Sequence, residues 1–299
     1  MGTPPPAVRA LPAVPGVYRF RDERGRALYI GRAVELRRRV ASYWGDLRDR
    51  QHLRRMVPRV ARVEAVACDS HHEAAWLERN LLEHSCPPWN RAVGVESTVY
   101  IRLGRALEVR HDPAGPGRVF GPYLGGDKVR LAVSGLRRAL AVAYAGDGLG
   151  GFDRDMARVR GVQPGSRAGL HAQVASVLDR DPAAAQRVRA ALTERRDAAA
   201  GALAFELAAR IQEELAALDW VVAEQKVTTP GGEADIDGWC DGVLVSFQLR
   251  QGRVRSWSQR ACGEKAATAR VESTPADWRT FAARNAALAA RMIARAESG

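Results

Sequence analysis

Apolar positions first cluster in two short runs, residues 17–20 and 27–30, separated by the charged stretch Asp22, Glu23, Arg24, Gly25 and Arg26. Apolar and aromatic runs flanking a polar, glycine-containing turn predict an antiparallel hairpin. Residues 34–43 then place Leu36, Val40 and Tyr43 at helical spacing among Arg37, Arg38 and Arg39, predicting a short basic helix. Residues 53–60 read as a second helix and residues 63–68 as a strand. Ser70 followed by Glu73 is a capping box, with Ser70 accepting from the N3 amide and Glu73 reaching back. Its helix runs to about His84 and stops before Pro87 and Pro88. A strand lies near 99–103. Helices fill 170–226, with 174–178 and 183–193 as the first two. Residues 243–250 and 253–259 flank Gln251 and Gly252 as a second hairpin, and 278–295 is a helix.

Length changes this picture little: 299 residues hold about two domains. No apolar run approaches the length of a membrane span, and residues 1–6 do not resemble a signal peptide. A soluble, cytoplasmic protein without membrane association is expected. The formal charge of +12 points to a polyanionic partner, nucleic acid above all. Of the 46 basic residues only Lys128, Lys226 and Lys265 are lysine, a bias that discounts the arginine count but not the net charge. Cys68, Cys86, Cys240 and Cys262 show no metal-ligand spacing and are expected as free thiols.

Individual residues carry sharper signals. Glu78 sits among Ala74, Ala75, Leu81 and Leu82 on its helix, where an unpaired carboxylate is costly to bury. No basic residue occupies a neighbouring helical position, whereas Glu83 has Arg79 at i−4. Glu78 therefore calls for a partner from outside its helix, a divalent metal or a distant arginine. Arg39 projects beside the apolar face formed by Leu36, Val40 and Tyr43. An ion pair with Glu35 is the bland alternative. His71 and His72 are expected to face solvent at a helix start, with no catalytic role. Asp235, Asp237 and Asp241 form an acidic run that reads better as turn and edge acids than as a metal cluster.

The ordered pair Gly16-Val17-Tyr18 and Tyr29-Ile30-Gly31 resembles the signature of the GIY-YIG nuclease family. The longer contexts, residues 11–18 and 28–40, are similar to the N-terminal nuclease domain of UvrC, the incision subunit of the bacterial excinuclease. The resemblance implies an α/β (α+β) domain over residues 11–100, a small antiparallel sheet flanked by helices. It also implies the site. Tyr29 would serve as general base, with Tyr18 positioning the water and Tyr43 a further site tyrosine. Arg39 would bind the scissile phosphate bidentately. Glu78 matches the family's metal-binding glutamate, and Asn90 its asparagine. The cofactor implied is Mg²⁺ or Mn²⁺. The family's lysine after the YIG glycine is Arg32 here, which keeps the charge but cannot shuttle a proton.

Further along, Val119-Phe120-Gly121-Pro122-Tyr123 resembles a UvrC tract that precedes a helix, which 129–141 fits. Four iron–sulfur cysteines normally follow. Residues 139–163 hold no cysteine, so no cluster is expected and Gly146–Gly151 reads as a loop within a middle region at 101–165. Residues 170–227 include a tract, 195–218, similar to the UVR motif, a helical hairpin that docks on UvrB. Leu203, Phe205, Glu206 and Ala209 are the partner-binding residues implied, with Phe205 at the centre. Gln212 and Glu213 stand where the family has Arg-Asp. Residues 234–242 resemble the UvrC segment just ahead of its second nuclease domain, and 234–299 are expected as a small β-hairpin plus a C-terminal helix, truncated relative to UvrC. The implied function is incision of damaged duplex DNA on the 3′ side of the lesion in nucleotide excision repair, without the 5′ incision, as in Cho-type truncated homologues. The rivals are a UvrB-independent structure-specific nuclease and a non-catalytic adaptor for UvrB or DNA.

Overall fold

Strands β1 (Gly16–Arg21) and β2 (Ala27–Ala33) form the expected hairpin, with Tyr18 opposite Gly31 and Phe20 opposite Tyr29. The computed structural model describes residues 3–45, 51–90, 97–144, 150–159, 161–162 and 166–298. It divides into two compact units, residues 1–94 with 225–299, and residues 95–224.

In the first unit, helix α1 (Leu36–Ala41) passes into a 3₁₀ turn at Ser42–Trp44, so the helix expected over 34–43 changes pitch before Tyr43. The second expected helix shortens to α2 (Gln51–Arg54). A separate 3₁₀ turn, Val57–Arg59, follows because Pro58 supplies no amide hydrogen. Strand β3 (Arg62–Ala67) pairs antiparallel with β1, giving the order β2-β1-β3. Alternation along β1 separates two faces. Tyr18 and Phe20 join Leu11, Leu36, Val40 and Tyr43 in one apolar core. Arg19 and its cross-strand partner Glu64 occupy the other face, where Glu64 also meets Arg21 and Arg62.

Helix α3 (His71–His84) begins at Ser70, whose Oγ accepts from Glu73 N at 2.9 Å. The Glu73 carboxylate reaches back to Asp69 N at 2.7 Å. Burial along α3 is far wider than a one-sided stripe: His72, Glu73, Trp76, Leu77, Asn80 and Leu81 are all buried. His72 therefore does not face solvent.

In the second unit, strands β4 (Thr98–Leu103), β5 (Leu107–Arg110) and β6 (Arg118–Leu124) form a sheet in the order β5-β4-β6. Helix α4 (Gly126–Leu140) follows β6, as the 119–123 tract implies. The expected Gly146–Gly151 loop lies largely outside the described residues. Helices α5 (Gly151–Val159), α6 (Arg167–Leu178), α7 (Pro182–Gly201) and α8 (Phe205–Val222) complete the unit. Asp181 caps α7, accepting from Ala184 N at 2.6 Å. Val99, Ile101, Leu136, Leu192 and Leu218 lie in the unit's core. Glu214 is buried on α8, held by Ser134 and Arg138.

The chain then returns to the first unit. Strands β7 (Ala234–Cys240), β8 (Val243–Arg250) and β9 (Arg253–Ala261) form a second antiparallel sheet, with Gln251 and Gly252 in the predicted turn. Helices α9 (Glu264–Glu272) and α10 (Ala276–Glu297) follow. Helix α3 packs on both β2 and β9 and so lies between the two sheets. This double coverage explains its buried polar residues. Asp235 pairs with Arg250 at 2.6 Å. Asp237 lies on the edge strand β7, as an edge acid should, but is buried, bonded to Ser246 and, at 3.1 Å, to Arg270. No helix is long and apolar enough to cross a membrane, among the described residues.

Candidate active site

Tyr18 and Tyr29 fall on one face of the hairpin because Tyr18 pairs with Gly31, two positions beyond Tyr29. Gly31 makes room for both rings. A Cβ at that position would lie 2.5 Å from the Tyr18 hydroxyl and 2.7 Å from Tyr29 Cε1. Gly16 permits an equally close approach, since a Cβ there would collide with the Val66 carbonyl and the Leu36 side chain. Both signature glycines thus answer to close packing.

The 3₁₀ turn after α1 brings Tyr43 beneath this face. Its hydroxyl lies 2.6 Å from that of Tyr18. Arg39 Nε donates to Tyr18 Oη at 3.4 Å, and the guanidinium lies 5.3 Å from the Tyr43 ring centroid. Burial raises the Tyr18, Tyr29 and Tyr43 phenols above their ordinary value. Charge repulsion from neighbouring phenols pushes the same way, as does Glu78 at Tyr29. Arg39 and the hydrogen bonds of Tyr43 to Tyr18 and of Tyr29 to Tyr43 oppose without prevailing. All three are therefore neutral hydroxyls at neutral pH.

Glu78 receives its outside partner from β2. Arg32 N donates to Oε1 at 3.0 Å, and Arg32 Nε stands 3.4 Å from Oε2. The distant-arginine alternative is thus realised. The pair is partly exposed, with side chains 34% and 22% accessible for Arg32 and Glu78. It opens on a cleft of about 720 Å³ lined by Tyr18, Tyr29, Arg32, Arg39 and Glu78. His71 also lines this cleft, two helical turns before Glu78. The sequence carries only that seven-residue spacing as a sign of it.

A small divalent ion retains several waters and takes one or two protein carboxylates plus substrate phosphate oxygens. The accessible carboxylate of Glu78 in an open, polar cleft, which Glu35 also lines, fits that donor set. No group of three His, Cys, Asp or Glu residues that could hold a metal occurs among the described residues.

Asn90 does not line the cleft. Its Oδ1 accepts from Ile30 N at 2.9 Å and its Nδ2 donates to Ile30 O at 2.7 Å. The side chain thus grips β2 midway between Tyr29 and Gly31.

In the other unit, Leu203, Phe205, Glu206 and Ala209 are all exposed. Leu203 is 73% and Phe205 65% accessible, with Leu207 beside them at 44%. Leu203 has a φ of 59° and terminates α7, while Ala204 N donates back to Ala199 O at 2.9 Å.

Residues 14–91 match the UvrC-like GIY-YIG domain model. Over 91% of its length the chain is 30% identical to the UvrABC system protein C of Corynebacterium aurimucosum, covering 44% of that protein. It is 31% identical to the corresponding protein of Mycobacterium tuberculosis over 84% of its length, covering 42% of the relative. The chain thus spans less than half the length of these curated relatives. The GIY-YIG N-terminal endonuclease domain of UvrC from Thermotoga maritima, bound to its catalytic divalent cation magnesium, is 30% identical. It aligns with 28% of this chain and 91% of its own, at a TM-score of 0.26.

Proposed function

From the premise that the chain belongs, through residues 14–91, to the UvrC-like GIY-YIG family, we propose that it is a DNA endonuclease that nicks one strand in nucleotide excision repair. The observation that carries this reading is the cleft shared by Tyr18, Tyr29, Arg32, Arg39 and Glu78. Phosphodiester hydrolysis needs an oriented water, charge stabilisation at phosphorus and help for the leaving oxygen. Arg39 binds the scissile phosphate, and its contact with Tyr18 fixes the hydroxyl beside that phosphate. Tyr29 and Tyr18, as neutral phenols, orient the water through their hydroxyls. Tyr43 holds Tyr18 in place. Asn90 acts at one remove by fixing the backbone of β2. Arg32 steadies Glu78 and adds positive charge. Glu78 would hold Mg²⁺ or Mn²⁺, which when bound supplies Lewis acidity and lowers the pKa of water.

The incision falls on the 3′ side of the lesion, as the family resemblance implies. Partner docking rests on Leu203, Phe205, Glu206 and Ala209. Large exposed apolar side chains around a helix turn suit a hot-spot contact, and the partner that the UVR resemblance implies is UvrB. The rival reading, a nuclease that cuts branched DNA without UvrB, differs only in this requirement. Incubation of a lesion-containing duplex with Mg²⁺ or Mn²⁺, with and without UvrA and UvrB, tests the proposal. One nick 3′ to the lesion that depends on UvrB supports it. Cutting of flaps without UvrB favours the rival, and no cutting leaves a docking adaptor.

A further inference from the structure

The elements that build the cleft are fastened from behind by the far end of the chain. Residues 73, 76, 80 and 83 form one stripe of α3, roughly on the opposite side of the helix from Glu78. Every position on that stripe meets residues 226–255. Lys226 N donates to Glu73 Oε1 at 2.9 Å. Asn80 Nδ2 donates to Val227 O at 3.0 Å and to Thr228 Oγ1 at 2.8 Å. Arg253 lies over the Trp76 ring and bonds Glu83 at 2.8 Å, where Arg255 joins it at 3.2 Å. Asn80, Val227 and Thr228 are buried. Gln225 braces the segment by bonding both the amide and the carbonyl of Thr228. Strand β1 is tied to the same sheet. Arg19, next to Tyr18, donates to Trp257 O at 3.1 Å and stacks 3.9 Å from the Trp257 ring centroid.

We propose that residues 225–299 are the second half of the catalytic unit, and that Asn80 and Thr228 are positioning residues that hold α3 so that Glu78 presents its carboxylate to the cleft. The inference rests on the metal-dependent nuclease reading above. Helix α3 carries its ligand on one side and its anchors on the other, so a shift at the anchors moves the carboxylate as a rigid lever. Sites of this kind need their ligands held within about 0.5 Å.

The test uses the full chain with Thr228→Val, which removes the hydroxyl at nearly constant volume, and Thr228→Ser, which keeps it. Mn²⁺ binding is followed by water-proton relaxation, with Glu78→Ala as the blank, alongside Tm and nicking. Thr228→Val is expected to weaken Glu78-dependent Mn²⁺ binding about threefold or more, on the scale of one buried hydrogen bond. Thr228→Ser is expected to stay within about twofold of the wild type, since it keeps that bond. Unchanged Mn²⁺ affinity in Thr228→Val, whatever its Tm, overturns the inference, as does Mn²⁺ binding indifferent to Glu78. A wild-type protein that binds Mn²⁺ through Glu78 yet never nicks DNA overturns the nuclease reading instead, and leaves the positioning result standing.

Discussion

Gly31 lies directly across the β1–β2 pair from Tyr18, and a methyl group added there would sit 2.5 Å from the Tyr18 hydroxyl. The atoms in the way are the outer parts of two tyrosine rings, so Gly31→Ala displaces the rings and leaves the backbone pairing intact. Overpacking of this kind costs about 1–3 kcal/mol. A displacement near 1 Å at a reacting site lowers rates about 100-fold. Gly31→Ala is therefore expected to keep its circular dichroism spectrum and lose nicking by about that factor. Loss of the fold, or activity equal to wild type, would refute this role for the glycine.

The buried hydroxyls of Tyr18 and Tyr43 face each other at 2.6 Å. Removing either one breaks their shared hydrogen bond, at about 0.5–1.5 kcal/mol, while Arg39 still donates to Tyr18 Oη and Tyr29 still bonds Tyr43. Removing both loses that one bond only once. Tyr18→Phe with Tyr43→Phe is thus expected to cost less than the sum of the single changes, by about 0.5–3 kcal/mol in a double-mutant cycle. Strict additivity would contradict the pairing. The same phenols set an alkaline limit. Their folded values lie above the ordinary 10.0, chiefly through burial. Their contribution is therefore complete below pH 10 and declines as pH rises toward the folded values. Urea unfolding at increasing pH should show this loss, and Tyr18→Phe should reduce it.

Glu64 is buried between Arg19, Arg21 and Arg62, its side chain 1% accessible. Burial alone would raise its carboxyl, but the three guanidinium groups outweigh burial and hold it below the usual glutamate value. A depressed carboxylate stabilises the fold above its unfolded pKa and loses that contribution as pH falls through the folded one. Stability should thus decline below the ordinary value of 4.5. Glu64→Gln is expected to cost about 3–5 kcal/mol at neutral pH, because the arginines lose their counter-charge. It should also flatten the acid limb, and an unchanged limb would show that other carboxylates control it.

Leu203 occupies the left-handed backbone region at φ 59° while remaining 73% exposed. A non-glycine residue there costs roughly 1–2 kcal/mol. Leu203→Gly is therefore expected to stabilise the protein by about 1 kcal/mol. If the turn docks a partner, the same change weakens that binding. Higher Tm with undiminished UvrB capture would remove Leu203 from the docking surface.

Local pattern revealed much, though not the break at Pro58 that shortens the second helix. The β1–β2 hairpin, the Ser70 cap, the extent of α3 and the turn at Gln251 and Gly252 all follow from residues close in sequence. The tertiary fit was hidden. His72 and Asn80 are polar, and only the second sheet behind α3 explains their burial. That sheet comes from residues more than 150 positions later, and no helical period reports such a neighbour. The site shows the same division. Tyr18, Tyr29, Arg39 and Glu78, which motif order singles out, do line one cleft. The Arg32–Glu78 contact was not legible, because it joins a strand to a helix 46 positions away.

Glu78 provides the most direct test. On a lesion-containing duplex with Mn²⁺ or Mg²⁺ and with UvrA and UvrB present, the wild-type protein is predicted to make one nick 3′ to the lesion. Glu78→Ala is predicted to make none while keeping its Tm within a few degrees, since its side chain lies at the open edge of α3. Equal cutting by both proteins, or no cutting by either, would contradict a Glu78-dependent nuclease.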